Sequence, residues 1–253
     1  MKISIITAVY NRETTIGRAI ASLQAQSFKN YEHIIIDGAS NDGTLSVIER
    51  MKSPESIVIS ESDAGIYDAL NKGLNMATGD IVGFLHSDDI FSDFNVLQNV
   101  VEIFKNNIID GVYGDLEYVS QVNPNKVIRH WKAGNVPVSK FNFGWMPPHP
   151  ALFLRREVIN KLGGFDQRYQ ISADYDAMTR YIHTGKAQIY YLNRVLVKMN
   201  VGGESNKSLE RLWRKSLEDF SIIRKYHLGF LGGLDTLFFK NIRKLPQFLI
   251  SKK

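Results

Sequence analysis

The chain has 253 residues, 44% of them hydrophobic, enough for one large α/β domain or two small ones with a sizeable core. It has no cysteine, which excludes disulfides, thiolate zinc sites and cysteine nucleophiles. The formal charge of +5 is uneven: from Ser205 onward 11 Lys and Arg face 4 Asp and Glu, a net of +7, whereas the remainder holds 20 against 22, a net of −2. A near-neutral body with a basic tail argues against a nucleic-acid-binding face and for a local anionic contact of the tail. No signal peptide is visible, and no stretch reaches the roughly 18 apolar residues of a membrane span. A cytoplasmic location is therefore expected.

In chain order, Lys2 to Val9 is β-branched and apolar, a buried strand. Tyr10-Asn11-Arg12 turns the corner, and Thr14 or Thr15 can cap a helix to about Gln26 with Ile16, Ala19, Ile20 and Leu23 on one face. Tyr31 to Ile36 predicts a second strand, Ser56 to Ser60 a third after a short helix, and Tyr67 to Met76 a helix. Gly79 to Asp89, G-D-I-V-G-F-L-H-S-D-D, holds a short apolar run that ends on His86, Ser87, Asp88 and Asp89. A helix is expected from about Phe91 to Lys105, with Asp89 placed to cap it. Strand and helix alternate four times within about 90 residues, the pattern of a parallel, doubly wound sheet.

The second half reads as a strand over Ile109 to Tyr113 and a hairpin from Asp115 to His130 around Asn123-Pro124-Asn125. Trp145-Met146-Pro147-Pro148-His149-Pro150 is a rigid, aromatic-bearing loop, and Ala151 to Leu154 a strand. A helix over Arg155 to Leu162 is stopped by Gly163-Gly164, and another runs from Asp174 to Thr184. Short strands are expected over Ile189 to Leu192 and Val195 to Met199, and Gly202-Gly203 opens a loop.

Ligands bind outside the carboxyl ends of the strands in such a sheet. The first strand ends on Asn11-Arg12, the second on Asp37 with Asp42, the third on Glu61 and Asp63, the fourth on Asp88-Asp89, so acids converge on one rim. Adjacent carboxylates at the tip of a buried strand are costly unless a cation satisfies them, and a hard divalent ion takes oxygen ligands. There is no G-x-G-x-x-G after the first strand and no G-K-[ST], which removes the dinucleotide and P-loop readings. A nucleotide whose phosphates are held through a metal on Asp88 remains.

The set I-S-I-I-T-A-V-Y-N, I-I-D-G-A-S-N-D-G-T, D-A-G-I-Y-D-A-L-N-K-G, G-D-I-V-G-F-L-H-S-D-D, G-G-F-D and A-D-Y-D, in order over about residues 2 to 205, resembles family-two glycosyltransferases. The resemblance implies the A-type fold, a Rossmann-like, mixed, mainly parallel sheet flanked by helices. It further implies a catalytic domain over 1–204, with a nucleotide-binding half to about 115 and an acceptor half from 116, followed by a helical tail over 205–253. Thr7, Val9 and Asn11 fall where the family's first loop borders the nucleobase and ribose. Asp37 matches the acid that hydrogen-bonds the base, Asp42 the second acid of the same loop, and Asp63 with Gly65 the loop beside the nucleotide. Asp88 matches the last acid of the D-x-D motif, the ligand to Mn²⁺ or Mg²⁺. The first acid of that motif falls on His86, which with Ser87 is left to bind ribose or phosphate, or to pack. Asp174 matches the catalytic base of an inverting transfer, with Asp176 as the competing assignment.

The chemistry needs these residue types. One base must take the acceptor proton, and an ordinary Asp, pKa about 3.9, is ionised at neutral pH. The nucleoside diphosphate leaving group develops charge that a divalent ion neutralises. Water must be excluded, with Gly202-Gly203 and Trp145 to His149 as candidate covers. Trp145 and His149 are candidates to line the acceptor pocket, with core or loop packing as the alternative. After Gly229 the tail interleaves Phe230, Leu231, Leu234, Leu237, Phe238, Phe239 and Ile242 with Lys240, Arg243 and Lys244. That mixture reads as an interfacial membrane helix or as a helix packed on the body. The expected partners are a nucleotide-sugar donor, probed first as a UDP-sugar, and a lipid-linked saccharide acceptor, as in bacterial surface-polysaccharide assembly. The expected place is the inner face of the cytoplasmic membrane, with homo-oligomerisation left open. The rival classes are a sugar-nucleotide nucleotidyltransferase and a non-catalytic sugar- or lipid-binding module.

Overall fold

The computed structural model describes residues 1–123, 125–201 and 209–242. The first strands are β1 (Ile3–Val9), β2 (Tyr31–Asp37), β3 (Ile57–Ser60) and β4 (Ile81–Phe84), alternating with helices α1 (Ile16–Gln24), α2 (Thr44–Met51) and α3 (Ile66–Met76). They run β3-β2-β1-β4, all parallel. All seven residues of β1 are buried, because helices cover both faces of this part of the sheet. Ile3 and Ile5 pack with Ala19 and Leu23 of α1 on one face, and Ile6 and Ala8 with Ala69 and Leu70 of α3 on the other. Each such burial contributes about 1.5–3 kcal/mol for an Ile or Leu.

After β4 come β5 (Ile90–Phe91), α4 (Val96–Asn106), β6 (Gly111–Val119), β7 (Val127–Trp131), β8 (Leu152–Arg155), α5 (Arg156–Leu162), α6 (Ala173–Met178) and β9 (Ile189–Asn200). The sheet continues β4-β8-β6-β9-β5, with β7 on β6. β8 is antiparallel to both β4 and β6, whereas β6 and β9 are parallel over their whole length. The result is one mixed sheet, parallel over most of its paired residues.

Three sequence expectations change. The region from Ile109 is one long strand, β6, which runs through Gly114 and turns back to β7; Pro124 at the turn lies outside the described residues. The two short strands near 189–199 are one, β9, with a register shift opposite Asp115. The helix expected from Phe91 begins at Val96, because Ile90 and Phe91 pair with Lys198 and Val197 and the sheet takes them first. Asp89 therefore caps no helix. Thr15 stands at the start of α1 but its hydroxyl makes no cap bond.

The tail forms α7 (Leu209–Lys225) and α8 (Leu234–Ile242). Ile222 and Ile223 are buried in the core, and Thr236 and Lys240 of α8 are buried against residues 138–144. Gly144 lies so close to α8 that a Cβ there would sit 2.5 Å from the Lys240 Cβ and 2.7 Å from its backbone N, at a left-handed φ of +68°. The tail also exposes large apolar side chains: Trp213 and Leu217 of α7, Phe230 and Leu231 after it, and Leu234 and Phe238 of α8. The tail thus packs on the body and also presents apolar surface. Among the described residues no helix is long and apolar enough to cross a membrane. Gly202-Gly203 and the basic run from Arg243 lie outside the described residues.

Candidate functional site

The loops that leave the carboxyl ends of β1 to β4 meet on one rim, as the register requires: Val9 pairs Asp37, and Asp37 pairs Ser60. Thr7 and Val9 are strand-body residues. Thr7 is wholly buried, its hydroxyl donating to the Leu85 carbonyl (2.7 Å) and lying 3.0 Å from His33 Nε2, and Val9 packs with Ile16 and Ile35. Their side chains brace the rim from below. Asn11 is on it, in a left-handed conformation, accepting from the Asn41 amide (3.0 Å).

Asp37 is wholly buried and accepts from the Ser40 amide (3.0 Å), the Ser40 hydroxyl and the Ser60 hydroxyl (2.7 Å). It holds its own loop to the end of β3. A carboxylate has about four acceptor positions, and three of them are occupied within this loop and β3. Asp42 accepts from the Thr44 amide (2.9 Å) and hydroxyl (2.5 Å) at the start of α2, and the Thr44 hydroxyl chiefly holds its carboxyl below the ordinary value. Asp63 accepts from the Gly65 amide (2.8 Å) and crowds Gly38, where a Cβ would meet its Oδ2 at 2.5 Å. Gly65, at φ +121°, occupies the mirror conformation that starts α3.

The H-S-D-D turn follows β4. Ser87 is buried, Asp88 half-buried, and the Asp88 carbonyl is held by the Asn200 side chain at 2.7 Å. Asp89 is wholly buried, and among the described residues neither of its carboxyl oxygens has a hydrogen-bond partner. Burial first, and then the charge of Asp88, raise its carboxyl well above the carboxylate range. A divalent ion that shares a nucleotide's phosphates needs only one or two protein carboxylates rather than a closed cage. Among the described residues no three His, Asp or Glu side chains are grouped to hold an ion unaided. Of the two acids of this turn only Asp88 is open enough to meet such a shared ion, since both Asp89 oxygens are enclosed.

The His86 imidazole opens the same turn and lies beside the His149 ring. Burial lowers its pKa, while the carboxylates of Asp88 and Asp174 both oppose that shift. His149 is buried beside it, its ring 5.7 Å from His86, 4.8 Å from Phe84 and 5.5 Å from Phe165. Among the described residues neither of its nitrogens has a hydrogen-bond partner, and burial lowers its pKa to about 3. Trp145 departs from the acceptor-lining expectation. Its ring is buried edge-on against Tyr113 and Phe141 and its Nε1 donates to the Ala133 carbonyl at 3.2 Å, so it packs the core.

Asp174 and Asp176 are separated by their surroundings. Asp176 is wholly buried and taken up by Lys225 Nζ (2.7 Å), the Tyr226 hydroxyl (3.0 Å) and Arg180 Nη2 (3.4 Å). Asp174 is half-buried; Oδ1 accepts from the Tyr175 amide (2.8 Å) and lies 3.4 Å from the Tyr67 hydroxyl, which donates to the Ile171 carbonyl at 2.8 Å. Among the described residues Asp174 Oδ2 has no hydrogen-bond partner, whereas both oxygens of Asp176 are engaged. Tyr67 was in plain view within D-A-G-I-Y yet carried no signal of this contact. Lys225 and Tyr226 were hidden by their distance in sequence.

A mixed sheet with a parallel nucleotide-type half, acids from four strand ends and a further acid at a helix start defines an A-type glycosyltransferase fold. Residues 4–163 match the family model Glycosyl transferase family 2, and the chain belongs to that family. It is 29% identical over 219 residues to a PGL/p-HBAD biosynthesis glycosyltransferase of Mycobacterium bovis BCG, covering 85% of this chain and 83% of the relative. In solved structures it is similar to the mannosyltransferase PcManGT of Pyrobaculum calidifontis in complex with GDP-Man and Mn²⁺ (TM-score 0.66, 21% identity, 98% of this chain and 73% of that one). It is also similar to S. aureus TarS 1–349 in complex with UDP (TM-score 0.62, 20% identity, 90% and 71%).

Proposed function

We propose that this family-two glycosyltransferase is an inverting, divalent-metal-dependent enzyme. It moves a hexosyl or N-acetylhexosaminyl group from a UDP-sugar to a hydroxyl of a lipid-linked saccharide in bacterial surface-glycan assembly. The observation that carries the reading is the contrast at the start of α6 between Asp174, half-buried with only Oδ1 engaged among the described residues, and Asp176, wholly buried and consumed by its ion pairs. The Asp174 carboxylate takes the acceptor hydroxyl proton as the oxygen attacks the anomeric carbon from the face opposite the diphosphate. One glycosidic bond forms, the anomeric carbon–phosphate oxygen bond breaks with its electron pair going to UDP, and the configuration inverts. A cation on Asp88 supplies neutralisation of the diphosphate when bound. Asn11, Asp37, Asp42, Asp63 and Gly65 shape the nucleotide side, with His86 and Ser87 beside the sugar-phosphate and Thr7 and Val9 supporting from below. His149 orders the wall beside His86.

UDP in TarS and Mn²⁺ in PcManGT support the donor and metal assignments. The relative named for PGL/p-HBAD biosynthesis, and the exposed apolar side chains of a basic tail, support a lipid-borne acceptor and peripheral attachment to the inner face of the cytoplasmic membrane. Residues 1–204 then carry the chemistry and 205–253 the attachment. The test is thermal stability with UDP, GDP and CDP, each with and without Mn²⁺, on the native chain and Asp88→Asn. A ligand at about a hundred times its dissociation constant stabilises by roughly 2.7 kcal/mol. The expected result is a UDP shift that needs Mn²⁺ and is lost in Asp88→Asn; no shift with any nucleotide refutes the reading.

A further inference from the structure

Three consecutive amides just ahead of Asp174 converge on one side chain of the tail. Glu218 Oε1 accepts from the Gln170 amide at 3.1 Å, and Oε2 from the Ile171 and Ser172 amides at 2.9 Å each. The three contacts make a concave cluster of N–H groups closed by a carboxylate, which fixes the backbone as well as satisfying its donors.

The rest of α7 reinforces the same segment. Arg214 donates to the Gln170 side chain, Lys225 pairs with Asp166 (3.6 Å) and Asp176 (2.7 Å), and Tyr226 donates to Asp176 (3.0 Å). Arg214, Glu218, buried Ile222 and Lys225 recur at i, i+4, i+8 and i+11, one face of a helix. Asp219, the next residue, is buried and pairs with Lys240 of α8 at 2.7 Å, and the Lys240 ammonium lies 3.2 Å from the Tyr175 ring centre. The segment from Asp166 to Asp176 is thus held from Gln170 onward by side chains that lie forty or more residues later in the chain.

We infer that Glu218 is a positioning residue for Asp174, setting the start of α6 through the Gln170, Ile171 and Ser172 amides. The inference rests on Asp174 being the base, and it makes α7 part of the reacting assembly in addition to an attachment.

The experiment compares the full chain with Glu218→Gln, Glu218→Asp and, in parallel, Asp174→Asn. Three readouts are taken: amide hydrogen exchange over residues 169–176, the UDP–Mn²⁺ melting shift, and hydrolysis of UDP-glucose, UDP-galactose and UDP-GlcNAc. In Glu218→Gln, exchange at Gln170 to Ser172 rises at least tenfold, and kcat for hydrolysis falls about 10- to 100-fold with donor KM within about twofold. The UDP shift is kept, and Glu218→Asp recovers part of kcat. Native exchange at these amides, or an unchanged kcat, overturns the inference. If Glu218→Gln does not fold, exchange and kcat in Glu218→Asp decide by the same criteria. If Asp174→Asn turns over normally, or the native chain hydrolyses no donor, the fault lies with the proposed function. The exchange result alone then decides whether Glu218 orders the segment.

Discussion

Replacing Asp176 by Asn separates the two acids of A-D-Y-D. The carboxylate is wholly buried and faces Lys225, Arg180 and the Tyr226 hydroxyl. Asn keeps the shape and one acceptor oxygen but removes the charge, leaving Arg180 without this counter-ion and Lys225 with only the more distant Asp166 at 3.6 Å. A hydrogen bond to a charged group contributes about 1.5–3 kcal/mol, and breaking a fully buried pair costs about 3–5. Lys225 and Arg180 retain some contact with water, so about 3 kcal/mol is expected. For a chain of this size that lowers the melting midpoint by about 6–12 °C. Asp174→Asn, at a half-buried site with no cation at ion-pair distance among the described residues, is expected to change stability by less than about 1 kcal/mol while abolishing transfer. The assay is a thermal melt beside donor turnover below the variant's midpoint, where Asp176→Asn retains activity. A native-like melt with lost turnover in Asp176→Asn refutes the assignment and transfers the base role to Asp176.

Burial lowers His33 and His149 to about 3. The unfolded chain binds these protons near pH 6.5 and the folded chain does not until about 3, so stability falls as pH drops through that window. By pH 5 each histidine removes about 2 kcal/mol. Denaturant titrations at pH 7.5 and 5 measure the loss, and His149→Phe removes its share of the slope; an unchanged slope contradicts the buried, neutral state. Gly144→Ala places a methyl 2.5 Å from the Lys240 Cβ at φ +68°. A loss of about 1–3 kcal/mol is expected, with α8 exposed to protease; native resistance argues that α8 does not dock there. Asp88→Asn is expected to lose the Mn²⁺-dependent UDP shift while melting at the native temperature without ligand, because its carboxylate makes no structural hydrogen bond among those described.

The parallel half was legible because local pattern and tertiary burial agree there: β1 reads as a buried strand and is one along all its length. At Phe91 they disagree. An apolar run that suits a helix is taken by β9, whose partner residues lie over a hundred positions later. Trp145 was ambiguous for a related reason, since a Trp between prolines looks the same whether it faces a sugar or, as here, Tyr113 and Phe141. The acids of the rim could be named because strand ends are predictable. Their ranking could not, because the shorter contacts that consume Asp176 come from Lys225 and Tyr226, some fifty residues later, and the local i,i+4 partner Arg180 alone does not separate the two acids.

The antiparallel seam between β4 and β8 has a bearing on how the protein is made. β4 is central in the finished sheet, but its second neighbour, Leu152–Arg155, is translated some seventy residues after it. During synthesis the nucleotide half therefore carries an open, wholly apolar strand edge, the kind that recruits other chains. At about 5–20 residues per second that edge stays bare for several seconds. Fragments ending near residue 115 are accordingly expected to aggregate rather than to behave as a free-standing nucleotide-binding unit, and the yield of the whole chain to depend on chaperones during that interval.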